Sequence, residues 1–148
     1  QLKKGATALT ESWAALEIVS NNHLMLGHLM EWFYSGLGGI DQDENSVGYK
    51  EILIKPEMVG DITYSNSSYM SPYGKITCNW EKKEDMISIK VEIPVNTTAK
   101  IFIPLKPNSV ITENGIEISK VKDVNVLSEK DGWMICQVGS GSYSFTVK

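Results

Sequence analysis

Four residues near the start of the chain have the types that carbohydrate chemistry requires: Glu11, Trp13, Asn22 and His23. A carboxylate serves as a general base, an indole face stacks on a sugar ring, and amide or imidazole groups hydrogen-bond to hydroxyls. In an extended segment Leu9, Glu11 and Trp13 point the same way, since side chains alternate with period two. The same residues also read as a helix N-terminus, with Thr10 as cap and Glu11 in the first turn, where acids are favoured.

Nothing else in the chain competes for catalysis. His23 and His28 lie five residues apart, about 500° around a helix, so they do not share a face as a metal pair would. No zinc site is expected. His28 reads as a partly exposed helix residue, and His23 as a helix N-terminal residue with a structural or a ligand role. There is no nucleophile–base pair, no metal-ligand spacing and no glycine-rich phosphate loop, so neither metal nor cofactor is expected.

Composition sets the broad class. The chain has 148 residues, 42% of them hydrophobic and 22% charged, ordinary globular material with enough apolar side chains for a core. A formal charge of −4 and a pI near 5.2 argue against a nucleic-acid partner, which needs clustered Lys and Arg. No run approaches the roughly 20 apolar residues of a membrane span, and no signal-peptide pattern opens the chain. Gln1 starts abruptly, and the chain reads as a piece of a larger protein. Cys78 and Cys136 sit in strand-like runs and read as buried free thiols rather than a disulfide.

The elements that must position the candidate residues follow from periodicity. Ser20-Asn21-Asn22 are capping types ahead of a helix expected over 23–37, where Leu26, Leu29, Met30, Phe33 and Leu37 recur at spacings of three and four. Met25, Trp32 and Tyr34 widen that stripe, as suits a helix between partners. Gly36, Gly38 and Gly39 end it. The acidic stretch 41–46 is expected as a solvated linker rather than a calcium loop, because the EF-hand Gly and terminal Glu are missing. The domain boundary is placed there, giving units 1–45 and 46–148.

Beyond it the period becomes two. Strands are expected over 49–54, 62–67, 75–80, 86–93, 99–103, 109–112, 124–127, 133–138 and 143–147. Ile87, Ile89, Val91 and Ile93 alternate with Ser88, Lys90 and Glu92, one face core and one face wet. Asn114-Gly115 is a hairpin signal. The expected fold is mainly β, an antiparallel, jelly-roll-like β-sandwich preceded by an α-helical fragment. Asn66-Ser67-Ser68 and Asn96-Thr97-Thr98 match the glycosylation sequon, a weak signal. Tyr64, Tyr69, Tyr73 and Trp80 are candidates for a flat sugar platform on a non-catalytic binding or structural module, with packing as the alternative.

Several motifs in register carry a family resemblance. Gly5-Ala6-Thr7 followed by Glu11-Ser12-Trp13, Asn22-His23, Gly27, Glu31-Trp32-Phe33-Tyr34, Leu37 and Gly39-Ile40 resemble the end of the catalytic domain of bacterial α-L-rhamnosidases of glycoside hydrolase family 78. Gly48-Tyr49-Lys50, Ile54-Lys55-Pro56, Ser71-Pro72-Tyr73-Gly74, Trp80 and 93–99 continue it into that family's C-terminal β-sandwich, up to about Pro104. The resemblance implies that residues 1–45 are the last turns of an (α/α)6 catalytic barrel and that the substrate is a terminal α-L-rhamnose cleaved with inversion. It also implies that Glu11 matches the family's general base and that His23 lines the sugar pocket, beside Trp13 and Asn22 as further substrate contacts. The expected partners are a rhamnose-containing carbohydrate and the upstream barrel of the same protein, with a homodimer through the orphaned helix face in the isolated chain. The general acid belongs to upstream helices, so the chain alone is expected to be inactive. The expected location is periplasmic or secreted. Two departures bear on pocket shape: Thr10 stands where the family has Trp, and the loop 14–21 is short.

Overall fold

The computed structural model describes residues 2–14 and 16–148; Gln1, and Ala15 within the short loop 14–21, lie outside the described residues. The chain forms two compact units, Gln1–Phe33 and Tyr34–Lys148.

The second unit is a β-sandwich. The described residues form eleven strands: β1 (Ile40–Gln42), β2 (Glu51–Ile54), β3 (Tyr64–Ser71), β4 (Gly74–Lys83), β5 (Met86–Ile93), β6 (Thr98–Pro104), β7 (Ile111–Glu113), β8 (Ile116–Glu117), β9 (Val124–Lys130), β10 (Trp133–Val138) and β11 (Gly141–Val147). One sheet runs β1-β2-β6-β10-β9 and the other β3-β4-β5-β11-β7-β8. Pairing is antiparallel except for β2 against β6. The connection between those two strands passes through three strands of the other sheet, which leaves ample chain for the crossover a parallel pair needs.

Alternation decides which face is core. On β5 Ile87, Ile89, Val91 and Ile93 are all buried, as expected. Their partners in one continuous cluster include Ile52, Ile54, Ile101, Ile103, Cys136 and Phe145. Each fully buried aliphatic side chain contributes about 1.5–3 kcal/mol, and a one-residue slip in β5 would turn all four outward. The register is therefore fixed by the isoleucines. Asn114 (φ 46°) and Gly115 (φ 81°) make the expected tight turn between β7 and β8.

Several expectations change. The stretch 41–46 is not wholly a solvated linker, because Asp41 and Gln42 pair with Leu53 and Ile52 in β1, and Asp43 Oδ2 accepts a 2.7 Å bond from Lys100 Nζ on β6. The acidic composition of this stretch hides the apolar Ile40 that starts the strand. The strand β8 is too short, at two residues, to show a period. Gly39 is needed for contact as well as for ending a helix: at φ 69° its missing Cβ would lie 2.3 Å from the Pro56 nitrogen, and Lys55 N–H donates to its carbonyl at 2.9 Å.

The expected helix over 23–37 is broken into three pieces. A 3₁₀ turn covers Leu24–Gly27, the helix α1 only His28–Trp32, and a π turn Phe33–Leu37. Gly27 weakens the middle by about 1 kcal/mol relative to alanine, and helices this short need packing on their apolar face to persist. Here Leu24, Met25, Leu29 and Met30 are all more than half exposed, at 79%, 63%, 59% and 57%. The capping cluster works differently too: His23 holds the N-cap position without a side-chain cap bond, and Asn21 Nδ2 donates instead to the carbonyls of Leu16 at 3.3 Å and Val19 at 3.1 Å.

Candidate functional site

Glu11 stands at the neck of a closed loop. Its backbone N–H donates to the Ser20 carbonyl at 2.8 Å, and the His23 N–H donates to the Leu9 carbonyl at 2.7 Å. Ser20 returns its own N–H to Glu11 Oε2 at 3.2 Å. These bonds satisfy backbone groups that no helix or strand serves, since the described residues from Gly5 to His23 are all turn, bend or irregular. The reading of Thr10 as a helix cap is thus replaced: Thr10 is buried, and its hydroxyl donates to the Ser12 carbonyl at 2.7 Å.

This neck brings the segment of Glu11 beside that of His23, although eleven residues intervene in sequence. Both side chains retain access to solvent, His23 partly and Glu11 more fully. Asn22 is exposed just before the strap closes. Trp13 lies around the loop and is 90% exposed. An anchored carboxylate, an imidazole, a carboxamide and an open indole face are the groups a sugar site uses, presented by a loop held by backbone bonds. Ser20 was not legible as Glu11's anchor. Its only sequence signal was a polar side chain, while the interaction is made by its main chain.

The aromatic candidates in the sandwich divide sharply. Trp80 is 2% exposed and its Nε1 donates to the Leu37 carbonyl at 2.8 Å, so it is core rather than platform. Tyr69 packs on Tyr49, ring centroids 4.6 Å apart. Tyr73 lies under the Lys50 ammonium, 5.2 Å from its centroid. Only Tyr64 of the four is freely presented, at 63% exposure.

The motifs 48–50, 71–74 and 94–97 meet at one end of the sandwich. Lys50 Nζ bonds the backbone carbonyl of Asn96 and, at 2.9 Å, its Oδ1. Ser71 Oγ donates to the Gly74 carbonyl at 2.8 Å, and Thr97 Oγ1 to that of Pro94 at 2.6 Å. A Cβ on Gly74 would press to 3.2 Å of the Pro94 Cβ. These residues brace one another across that end of the sandwich. Among the described residues no cluster of three or more His, Cys, Asp or Glu is placed to hold a metal ion, and Asp43 is engaged by Lys100 and the Asn45 amide.

Comparison with known proteins agrees with the shape and the motifs. The family model described as bacterial α-L-rhamnosidase C-terminal domain matches residues 39–116. The chain is 28% identical to an α-L-rhamnosidase of Streptomyces avermitilis over 99% of its own length and 14% of that protein's. It is 26% identical to one from Formosa agariphila, over 99% of the chain and 17% of the relative. Among solved structures, the α-L-rhamnosidase from Dictyoglumus thermophilum superposes with a TM-score of 0.83 at 32% identity, over 99% of this chain and 17% of that one. The Streptomyces avermitilis α-L-rhamnosidase complexed with L-rhamnose gives 0.81 at 27% identity, over 99% and 14%. The chain thus spans less than a fifth of each of these relatives. With the family model covering more than half of its residues, the chain belongs to the bacterial α-L-rhamnosidase C-terminal domain family.

Proposed function

We propose that this chain is the C-terminal part of an inverting α-L-rhamnosidase that removes terminal α-L-rhamnose from glycans or glycosides, with Glu11 as the general base. The observation that carries the reading is the reach of the similarity: it covers 99% of the chain, so it extends past the sandwich to the loop bearing Glu11. In this reading the Glu11 carboxylate takes a proton from water. The water oxygen bonds the anomeric carbon on the face opposite the aglycone, the glycosidic C–O bond breaks, and a carboxylic acid from the preceding part of the protein protonates the leaving oxygen. The two carboxyl groups then stand roughly 6.5–9.5 Å apart, leaving room for the water. Trp13, Asn22 and His23 orient the sugar, and the chain alone hydrolyses nothing.

Glu11→Gln in the full-length enzyme tests this. Gln Oε1 can still accept from Ser20, so folding is retained, while loss of the base is expected to lower turnover of an aryl α-L-rhamnoside by about 10²- to 10⁴-fold. Near-normal turnover by that variant overturns the assignment.

A further inference from the structure

The outer face of the β3-β4-β5 sheet carries a cleft lined by residues to which the proposed reaction assigns no role. Its floor is set by register: Tyr64 pairs with Glu81 and Glu81 with Ser88, while Asn66 pairs with Asn79 and Asn79 with Lys90. The six positions form two rows of three on one face, since the residues between them, Ser65, Trp80 and Ile89, are buried. Directly paired side chains on a sheet lie about 4.5–5.5 Å apart at Cβ, close enough for neighbouring groups to bond vicinal hydroxyls of one ring. Together with Trp80 between them, the six line a cleft of about 260 Å³, just below the roughly 300–1,000 Å³ of sites for drug-sized ligands.

The chemistry of the lining is specific. Among the described residues Asn66, Asn79 and Lys90 engage no side-chain hydrogen bond or ion pair, so their donors and the two amide oxygens face water. Glu81 pairs with Lys83 at 2.7 Å, but both are exposed, and such a pair is readily exchanged. Tyr64 closes one end with an open ring. Two carboxamides, an ammonium, a carboxylate and an aromatic face are complementary to a pyranose, which offers paired hydroxyls on its edge and C–H groups on its face. The opposite sheet's outer face differs: there Lys55 lies over the Phe102 and Trp133 rings at 5.4 and 5.8 Å, and its cation is already engaged.

We infer that this cleft, which shares no residue with the Glu11 loop, is a saccharide-binding subsite for a neutral pyranoside that it holds without cleaving. It does not depend on the hydrolytic reading, and it is tested on the 148-residue chain itself. Two-dimensional ¹⁵N–¹H spectra are recorded while methyl α-L-rhamnopyranoside, and separately a rhamnosyl-glucose disaccharide, are added to millimolar concentration. The expected result is saturable shifts at Tyr64, Asn66, Asn79 and Lys90, with affinity falling about tenfold in Asn79→Ala, the loss of one good hydrogen bond. Tyr64→Ala, at an exposed position, provides a second variant with the same expected direction and an unchanged fold. Absence of saturable shifts at these residues overturns the inference. So do shifts confined to residues 5–33, equal shifts with inorganic phosphate, or binding that neither variant weakens.

Discussion

The indole nitrogen of Trp80, on β4, donates a 2.8 Å hydrogen bond to the carbonyl of Leu37, at the end of the π turn that leads into the sandwich. One buried side chain thereby completes the core and satisfies a helix-end carbonyl that would otherwise lack a partner. Together with the bond from Glu57 N–H to the Gly36 carbonyl at 2.9 Å, it fixes how the chain enters β1.

Trp80→Phe should therefore cost more than the change in apolar area implies. Orphaning the Leu37 carbonyl contributes about 1–3 kcal/mol, and the space left by the smaller ring adds to it. Urea unfolding checks this; a loss under about 1 kcal/mol would mean that the bond adds nothing to stability.

The Asp43–Lys100 pair predicts a mid-range stability plateau. The Lys100 ammonium, followed by the Asn45 amide, holds the Asp43 carboxyl below its usual value, and Asp43 in turn raises the Lys100 amine. A lowered carboxyl pKa gives stabilisation that is present above the ordinary Asp range and lost as pH falls through the folded value. A raised amine pKa gives stabilisation present below the ordinary Lys range and lost as pH climbs through the folded value. Asp43→Asn should remove this pair's contribution to both edges of the plateau, measured as the urea midpoint across pH.

Cys78 and Cys136 are both buried and free, and they predict an alkaline weakness. Burial pushes the Cys78 thiol up to about 12, and burial aided by Glu129 pushes Cys136 up to about 11. The unfolded chain then loses these protons first, so stability is full below about pH 9 and is lost as pH rises toward the folded values, at about 1.4 kcal/mol per pH unit per thiol. Cys78→Ala should flatten that slope while lowering stability at neutral pH. A thiol reagent should label native protein only as fast as it opens.

The exposed apolar run Leu24, Met25, Leu29, Met30 and Phe33 predicts association of the isolated chain. We expect sedimentation equilibrium to show a homodimer, and Leu29→Glu to shift it to monomer without altering the sandwich. In the full-length protein the same surface is expected to be covered by the preceding region, so the variant there should lower folding yield instead.

Much of the sandwich was legible because it obeys one local rule. The alternation on β5 and β10 fixed their limits, Met86–Ile93 and Trp133–Val138, without any knowledge of partners. The motifs around Glu11, Trp13, Asn22 and His23 were readable as residue types, as was the β7–β8 turn at Asn114-Gly115. By contrast, β1 at Ile40–Gln42 depends on pairing with β2, and its acidic neighbours carry no period. The helix over 23–37 looked continuous because periodicity reports an apolar face but not whether anything covers it.

What the sequence determined, then, was the alternation that makes a sandwich and the set of side chains fit for sugar chemistry. Only the tertiary structure decided that Glu11 is anchored by the main chain of Ser20, that Trp80 is core, and that Asn66, Asn79 and Lys90 share one face. Strand register and loop closure join residues distant in sequence, and those contacts depend on backbone bonds that every residue can make and that leave no mark on composition.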